Sequence, residues 1–156
     1  MNREQEKIFI GEKNGEIRVW DIDKVKYIDT LKRHKSAISC ISLVGKRQQQ
    51  IASGSHWGKT IYIWDTTNLN CVGRIGIHEQ IINMFWNNYD EFVIVCSRKA
   101  FKFNHCNFRG YEETPTVHDF TSNNLVIVDN NESLIGGSKK KHIVKVSFDY
   151  YTQVDQ

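Results

Sequence analysis

The chain has 156 residues, 40% of them hydrophobic and 25% charged, with a formal net charge of +3. That length suits one domain with a buried core, and the charge is too small to argue by itself for a nucleic-acid protein. No apolar run approaches the ~20 residues that span a bilayer, and the polar, mixed-charge start from Met1 to Lys7 resembles neither a secretory signal nor an Arg-rich transit peptide. Cys40, Cys71, Cys96 and Cys106 stand far apart, which fits reduced, largely buried thiols better than a disulfide frame. Cytoplasm or nucleus is the expected compartment.

In chain order, Ile8–Ile10 and Ile17–Trp20 read as strands joined through Asn14-Gly15, a strong short-hairpin signal. Ile17 and Val19 alternate with Arg18 and Trp20, so one face is aliphatic and the other amphipathic. Lys26–Leu31 alternates again and runs into Lys32-Arg33-His34. Strands are then predicted over Ala37–Val44, Ile51–Ser55 and Thr60–Asp65, the first two separated by a polar turn. A second unit runs through Cys71–Ile75, Ile81–Trp86, Phe92–Cys96 and Ala100–Phe103. A looser third passes Pro115 and His118, then Leu125–Val128 and Ser133–Ser138. It ends in Ile143–Ser147 or at Phe148-Asp149, two registers that exchange inward and outward faces. No helix is predicted.

The dipeptide Trp-Asp closes two of these strands, at Trp20-Asp21 and, 44 residues later, at Trp64-Asp65. A His follows each Trp, His34 and His78, and His118 comes 40 residues after His78. A unit of ~40–45 residues ending in Trp-Asp describes one four-stranded blade of a propeller. The best copy is Ile51-Ala52-Ser53-Gly54-Ser55 with Lys59-Thr60-Ile61-Tyr62-Ile63-Trp64-Asp65; the next is Gly11, Asn14-Gly15 and Ile17-Arg18-Val19-Trp20-Asp21. On these residues the chain resembles the WD-repeat, β-transducin-like class of β-propeller. The resemblance implies an all-β arc of four-stranded antiparallel blades. It divides into a partial blade over 1–31, blades over 32–75 and 76–117, and a degenerate partial blade over 118–156.

The resemblance also implies a buried polar set in each good blade, made of a His before the inner strand, a Ser or Thr on the second, a Trp on the third and an Asp in a tight turn. His34, Ser53 and Trp64 fill three of these roles, while His56-Trp57-Gly58 stands where the Asp would be. Trp20, Asp21, Asp65, His78 and His118 are the matching positions elsewhere, with Phe103 in place of a Trp. Such a set is expected to pin strand register within a thin blade.

A sevenfold propeller needs roughly 290 residues at about 42 per blade. The arc is therefore expected to be completed by a second copy of itself, by another subunit's blades or by a larger assembly; alternatively the sequence is part of a longer propeller. Catalytic motifs are absent. Gly136-Gly137-Ser138-Lys139 lacks P-loop spacing, Cys96 with His105-Cys106 makes no convincing metal set, and no Ser, His and Asp share a nucleophile-elbow context. No cofactor, metal, small-molecule substrate or membrane insertion is expected. Trp57 is the candidate aromatic anchor for a partner. Basic turns at Lys139-Lys140-Lys141, Lys32 to Lys35 and Lys46-Arg47 offer charge to an acidic protein or to RNA phosphates. The expected function is a non-catalytic interaction scaffold or complex subunit with protein partners, a homodimer included; the alternative is an RNA-contacting subunit of a ribonucleoprotein.

Overall fold

The computed structural model describes residues 6–44, 49–86, 91–96, 100–104, 111–113, 120–128, 133–138 and 143–147, with side chains over 6–44, 49–86 and 92–96. The strands are β1 (Lys7–Gly11), β2 (Glu16–Asp21), β3 (Lys26–Lys32), β4 (Ile38–Val44), β5 (Gln50–Ser55), β6 (Thr60–Asp65) and β7 (Cys71–Gly76). They continue as β8 (Ile81–Trp86), β9 (Glu91–Cys96), β10 (Ala100–Asn104), β11 (Tyr111–Glu113), β12 (Phe120–Val128), β13 (Ser133–Ser138) and β14 (Ile143–Ser147). They form antiparallel meanders β1-β2-β3, β4-β5-β6-β7, β8-β9-β10-β11 and β12-β13-β14, so each strand pairs with its neighbour in sequence. The architecture is the expected all-β arc. No helix among the described residues is long and apolar enough to cross a membrane.

Two details depart from the sequence reading. The short strand β11 has no apolar alternation of its own and exists through pairing with β10, Phe103 opposite Tyr111. Strand β12 begins at Phe120, ahead of the expected Leu125, with a register shift between those two residues. The last strand takes the Ile143–Ser147 register, Ser147 opposite Ser133.

Packing follows the period of two. Ile17 and Val19 are fully buried on one face of β2, and with Leu31 they meet Ile51 and Trp64 of the second sheet. The other face of the second sheet offers Ala52, Ile61, Ile63 and Ile75 to Ile81, Met84, Phe92 and Ile94 of the third. Strand β5 is thus buried on both faces, and each fully buried aliphatic side chain contributes ~1.5–3 kcal/mol. Gly11 permits this closeness between the first two sheets, because a Cβ there would lie 2.5 Å from Ile38 Cγ2.

The first sheet repeats the second with one face left open. The cross-strand row Ile51, Trp64, Cys71 in the second sheet matches Ile8, Trp20, Tyr27 in the first. Ile51 and Trp64 are 1% and 4% exposed, whereas Ile8 and Tyr27 are 45% and 47% exposed. Trp20 is half-buried and meets Tyr27 edge-on at 5.9 Å.

Candidate functional site

The second sheet contains the polar set. Ser53 is fully buried on β5, and Trp64, also buried, lies on β6 beside it. The Trp64 indole Nε1–H donates to Ser53 Oγ at 2.8 Å, and the same oxygen lies 2.8 Å from His34 Nε2. Oγ accepts from the indole and still has both a hydrogen and a second lone pair for His34 Nε2, so the direction of that bond follows the ring's tautomer. Burial drives the His34 pKa down to about 4, with the Ser53 backbone working in the opposite direction. The imidazole is therefore neutral near pH 7, and its bond to Ser53 holds the β3–β4 loop against β5.

The aspartates of the Trp-Asp pairs act separately from this set. Asp65 Oδ1 accepts from the backbone N–H of Thr67 at 2.7 Å and of Asn68 at 3.0 Å, closing the β6–β7 turn. These two backbone bonds hold its carboxyl below the usual range. Asp21, buried, accepts from the Lys24 N–H at 3.0 Å in the corresponding β2–β3 turn. The sequence signal for this role is an Asp at the end of an alternating strand, a residue type whose side chain closes a turn on its own backbone.

The other positions do not repeat the polar set. Trp20 lies on the open face of the first sheet, where Ile10 stands at the register position that Ser53 holds in the second. His78 is exposed in the β7–β8 loop, because β9 presents Ile94 at that same position and offers no hydroxyl. His118, Lys139, Lys140 and Lys141 lie outside the described residues.

The Ser55–Thr60 turn carries Trp57, which is 73% exposed. The turn is nonetheless fixed. The His56 N–H donates to the Ala37 carbonyl at 3.0 Å, the Trp57 N–H to Ser36 Oγ at 3.4 Å, and Gln80 Nε2 to His56 Nε2 at 2.8 Å. The His56 and Trp57 rings meet edge-on with centroids 4.8 Å apart. Sequence reading identified Trp57 but missed Ser36 and Gln80, whose contacts are long-range and leave no local pattern. Gly58 fits where a larger residue would not, since a Cβ would collide with Ser55 Oγ.

The thiols of Cys40 and Cys96 are not activated. Burial pushes the Cys40 thiol up to about 11, against the Ser39 hydroxyl and Gly54 backbone, and raises the Cys96 thiol further, with Glu79 and Cys40 adding to it. Neither forms a thiolate near neutrality. Among the described residues no three His, Cys, Asp or Glu side chains gather as a metal set.

The family model for the WD domain, G-beta repeat, matches residues 25–65, the segment that holds His34, Ser53 and Trp64. Residues 25–65 thus match a WD repeat, and the chain has the fold of a β-propeller arc. A WD-repeat relative, the WD repeat-containing protein AAC3 of Dictyostelium discoideum, is 26% identical, over 59% of this chain and 23% of that protein. The β-propeller domain of Cps50 (Swd1) from Myceliophteria thermophila superposes with a TM-score of 0.73 at 15% identity, covering 94% of this chain and 49% of that one. A chain of the mitotic checkpoint complex gives 0.76 at 13% identity, covering 89% and 44%. The dihydro-heme d1 dehydrogenase NirN gives 0.79 at 11%, covering 96% and 33%. The arc thus spans half or less of the length of these proteins. The structural likenesses establish the propeller fold, which hosts enzymes and non-enzymes alike. WD-repeat propellers generally serve as protein-interaction scaffolds in complexes and are typically non-catalytic.

Proposed function

We propose that this chain is a non-catalytic interaction scaffold of the cytoplasm or nucleus, and that it meets a protein partner through the loop end bearing Trp57. The observation that carries this reading is an indole 73% exposed on a turn that is hydrogen-bonded to two neighbouring loops. A large side chain on a backbone already fixed loses less freedom on binding than one on a mobile loop, which is how interface anchors gain affinity. Completion of the arc by a further blade, from a second copy, another chain or more of the same polypeptide, belongs to the same reading. The support for it is the open Ile8, Trp20, Tyr27 row, whose counterpart in the second sheet is buried.

The test is affinity purification of the tagged chain from its native source across a salt series, with Trp57→Ala alongside. Stoichiometric, salt-resistant recovery of a defined protein, lost in Trp57→Ala, supports the scaffold. Recovery only of RNA, abolished by ribonuclease, would replace it with the ribonucleoprotein alternative. Light scattering of the purified chain over a dilution series reads self-association.

A further inference from the structure

The loops around Trp57 carry a charge pattern that specifies what kind of partner fits. Strand parity puts the 12–15, 33–37, 56–59 and 77–80 connections at one end of the arc. They touch one another: the Ile38 N–H donates to the Glu12 carbonyl at 3.0 Å, and the Ile77 N–H donates to the Lys59 carbonyl at 2.8 Å. At Gly15, a Cβ would lie 2.7 Å from the His34 carbonyl oxygen.

Lys13, Arg33, Lys35 and Lys59 are all exposed on these loops, and among the described residues none has an ion-pair partner. The carboxylates nearby are already engaged or withdrawn. Glu12 is held by Arg18 at 2.7 Å, Glu16 by Lys32 at 2.9 Å, and Glu79 is half-buried. Asp21, Asp23 and Asp65 lie at the opposite end. Trp57 is therefore an exposed aromatic at the same end as four cations that have no ion-pair partner among the described residues, and it is the one large exposed hydrophobic on these four loops.

We propose that this end docks an acidic, extended peptide segment, with one apolar side chain against the Trp57 indole and carboxylates facing Lys35, Lys59 and Arg33. The inference rests on the scaffold reading and adds the partner's chemistry. Opposite charge steers the encounter and fixes register, while the desolvated indole supplies most of the affinity. A nucleic-acid strand is the poorer match, since non-specific strand binding uses successive stacking platforms along a basic groove. Among the described residues this end has one exposed Trp, Tyr or Phe ring, and the imidazole of His78 is its one further exposed ring.

The experiment titrates the whole chain with a short synthetic peptide of aspartates and glutamates around a single leucine, reading heat and tryptophan emission. The controls are the same peptide with lysines for its acids and a single-stranded oligouridylate. The expected result is saturable binding of the acidic peptide that weakens as salt rises. Trp57→Ala should weaken it about tenfold or more, and the Lys35→Glu, Lys59→Glu double variant should abolish it. Circular dichroism should not change in either, since all three side chains are exposed. No saturable binding of the acidic peptide, equal binding of the lysine peptide, or tighter Trp57-dependent binding of the oligouridylate each overturns the proposal. Should Trp57→Ala still lose a co-purifying protein while the acidic peptide never binds, the scaffold reading stands and the acidic-segment proposal falls.

Discussion

Val25 and Leu69 occupy the same place in two turns 44 residues apart, and both have left-handed backbone, with φ of 50° and 62°. Each follows a Trp-Asp pair and precedes a strand whose register shifts opposite that Trp. Their surroundings differ. Leu69 is half-buried against the cluster of Ile51 and Trp64, whereas Val25 is 80% exposed. A β-branched residue in that region is strained by ~1–2 kcal/mol, and at Val25 no packing offsets the strain.

Glycine at these two positions should therefore act in opposite directions. Val25→Gly is expected to stabilise the fold by about 0.5–1 kcal/mol, the relief of strain exceeding glycine's entropic cost. Leu69→Gly should destabilise it by about 1 kcal/mol, because it also removes packed side-chain volume. Urea unfolding of the two variants checks the sign of each change.

Ser53→Ala removes one oxygen and strands two groups, the Trp64 indole N–H and His34 Nε2. The expected loss is about 2–4 kcal/mol, against about 1–3 for Trp64→Phe, which leaves the His34 bond in place. The double variant should lose clearly less than the sum, as members of one network do. Additive losses in a denaturant double-mutant cycle would show that the two side chains do not share an energetic unit.

The pH dependence has a definite sign. His34 has its pKa lowered on folding from 6.5 to about 4, so between these values the unfolded chain binds more protons than the folded one. The stability this group contributes is fully present above pH 6.5 and is lost as pH falls toward 4. The melting temperature should decline across that window, and the decline should be shallower in His34→Gln. Parallel curves would assign the acid response to other groups.

Two glycines give a steric contrast. Gly11→Ala places a methyl 2.5 Å from Ile38 Cγ2, while Gly76→Ala meets nothing within 4 Å. The first is expected to cost about 1–3 kcal/mol through overpacking, and the second should be neutral or slightly stabilising. Thermal melts of both resolve the difference.

How much of this was legible in the sequence depends on the range of the interaction. Strands β1 to β10 follow from alternation and turn residues, and the grouping of His34, Ser53 and Trp64 is what the resemblance to WD-repeat blades implies. The exposure of His78 was not legible in the same way, since it depends on Ile94, a residue that only strand pairing sets at Ser53's position. The hold on the 56–57 turn, by Ser36 on the Trp57 N–H and by Gln80 on the His56 ring, is likewise a product of loop packing between sheets. The left-handed turns at Val25 and Leu69 escaped because neither residue type favours that conformation; the bulged register imposes it.

Strands β5 and β9 hold matching places in the second and third sheets, and Ser53 of the one stands where the other has Ile94. The second sheet has a directional polar chain through Ser53, whereas Phe92, Val93, Ile94, Val95 and Cys96 of β9 are all 0% exposed in an apolar setting. Apolar burial weakens on cooling, while hydrogen bonds do not share that temperature dependence. Near the freezing point of water the arc should therefore loosen first around β8 and β9, leaving the sheet with the serine as the part that endures the cold.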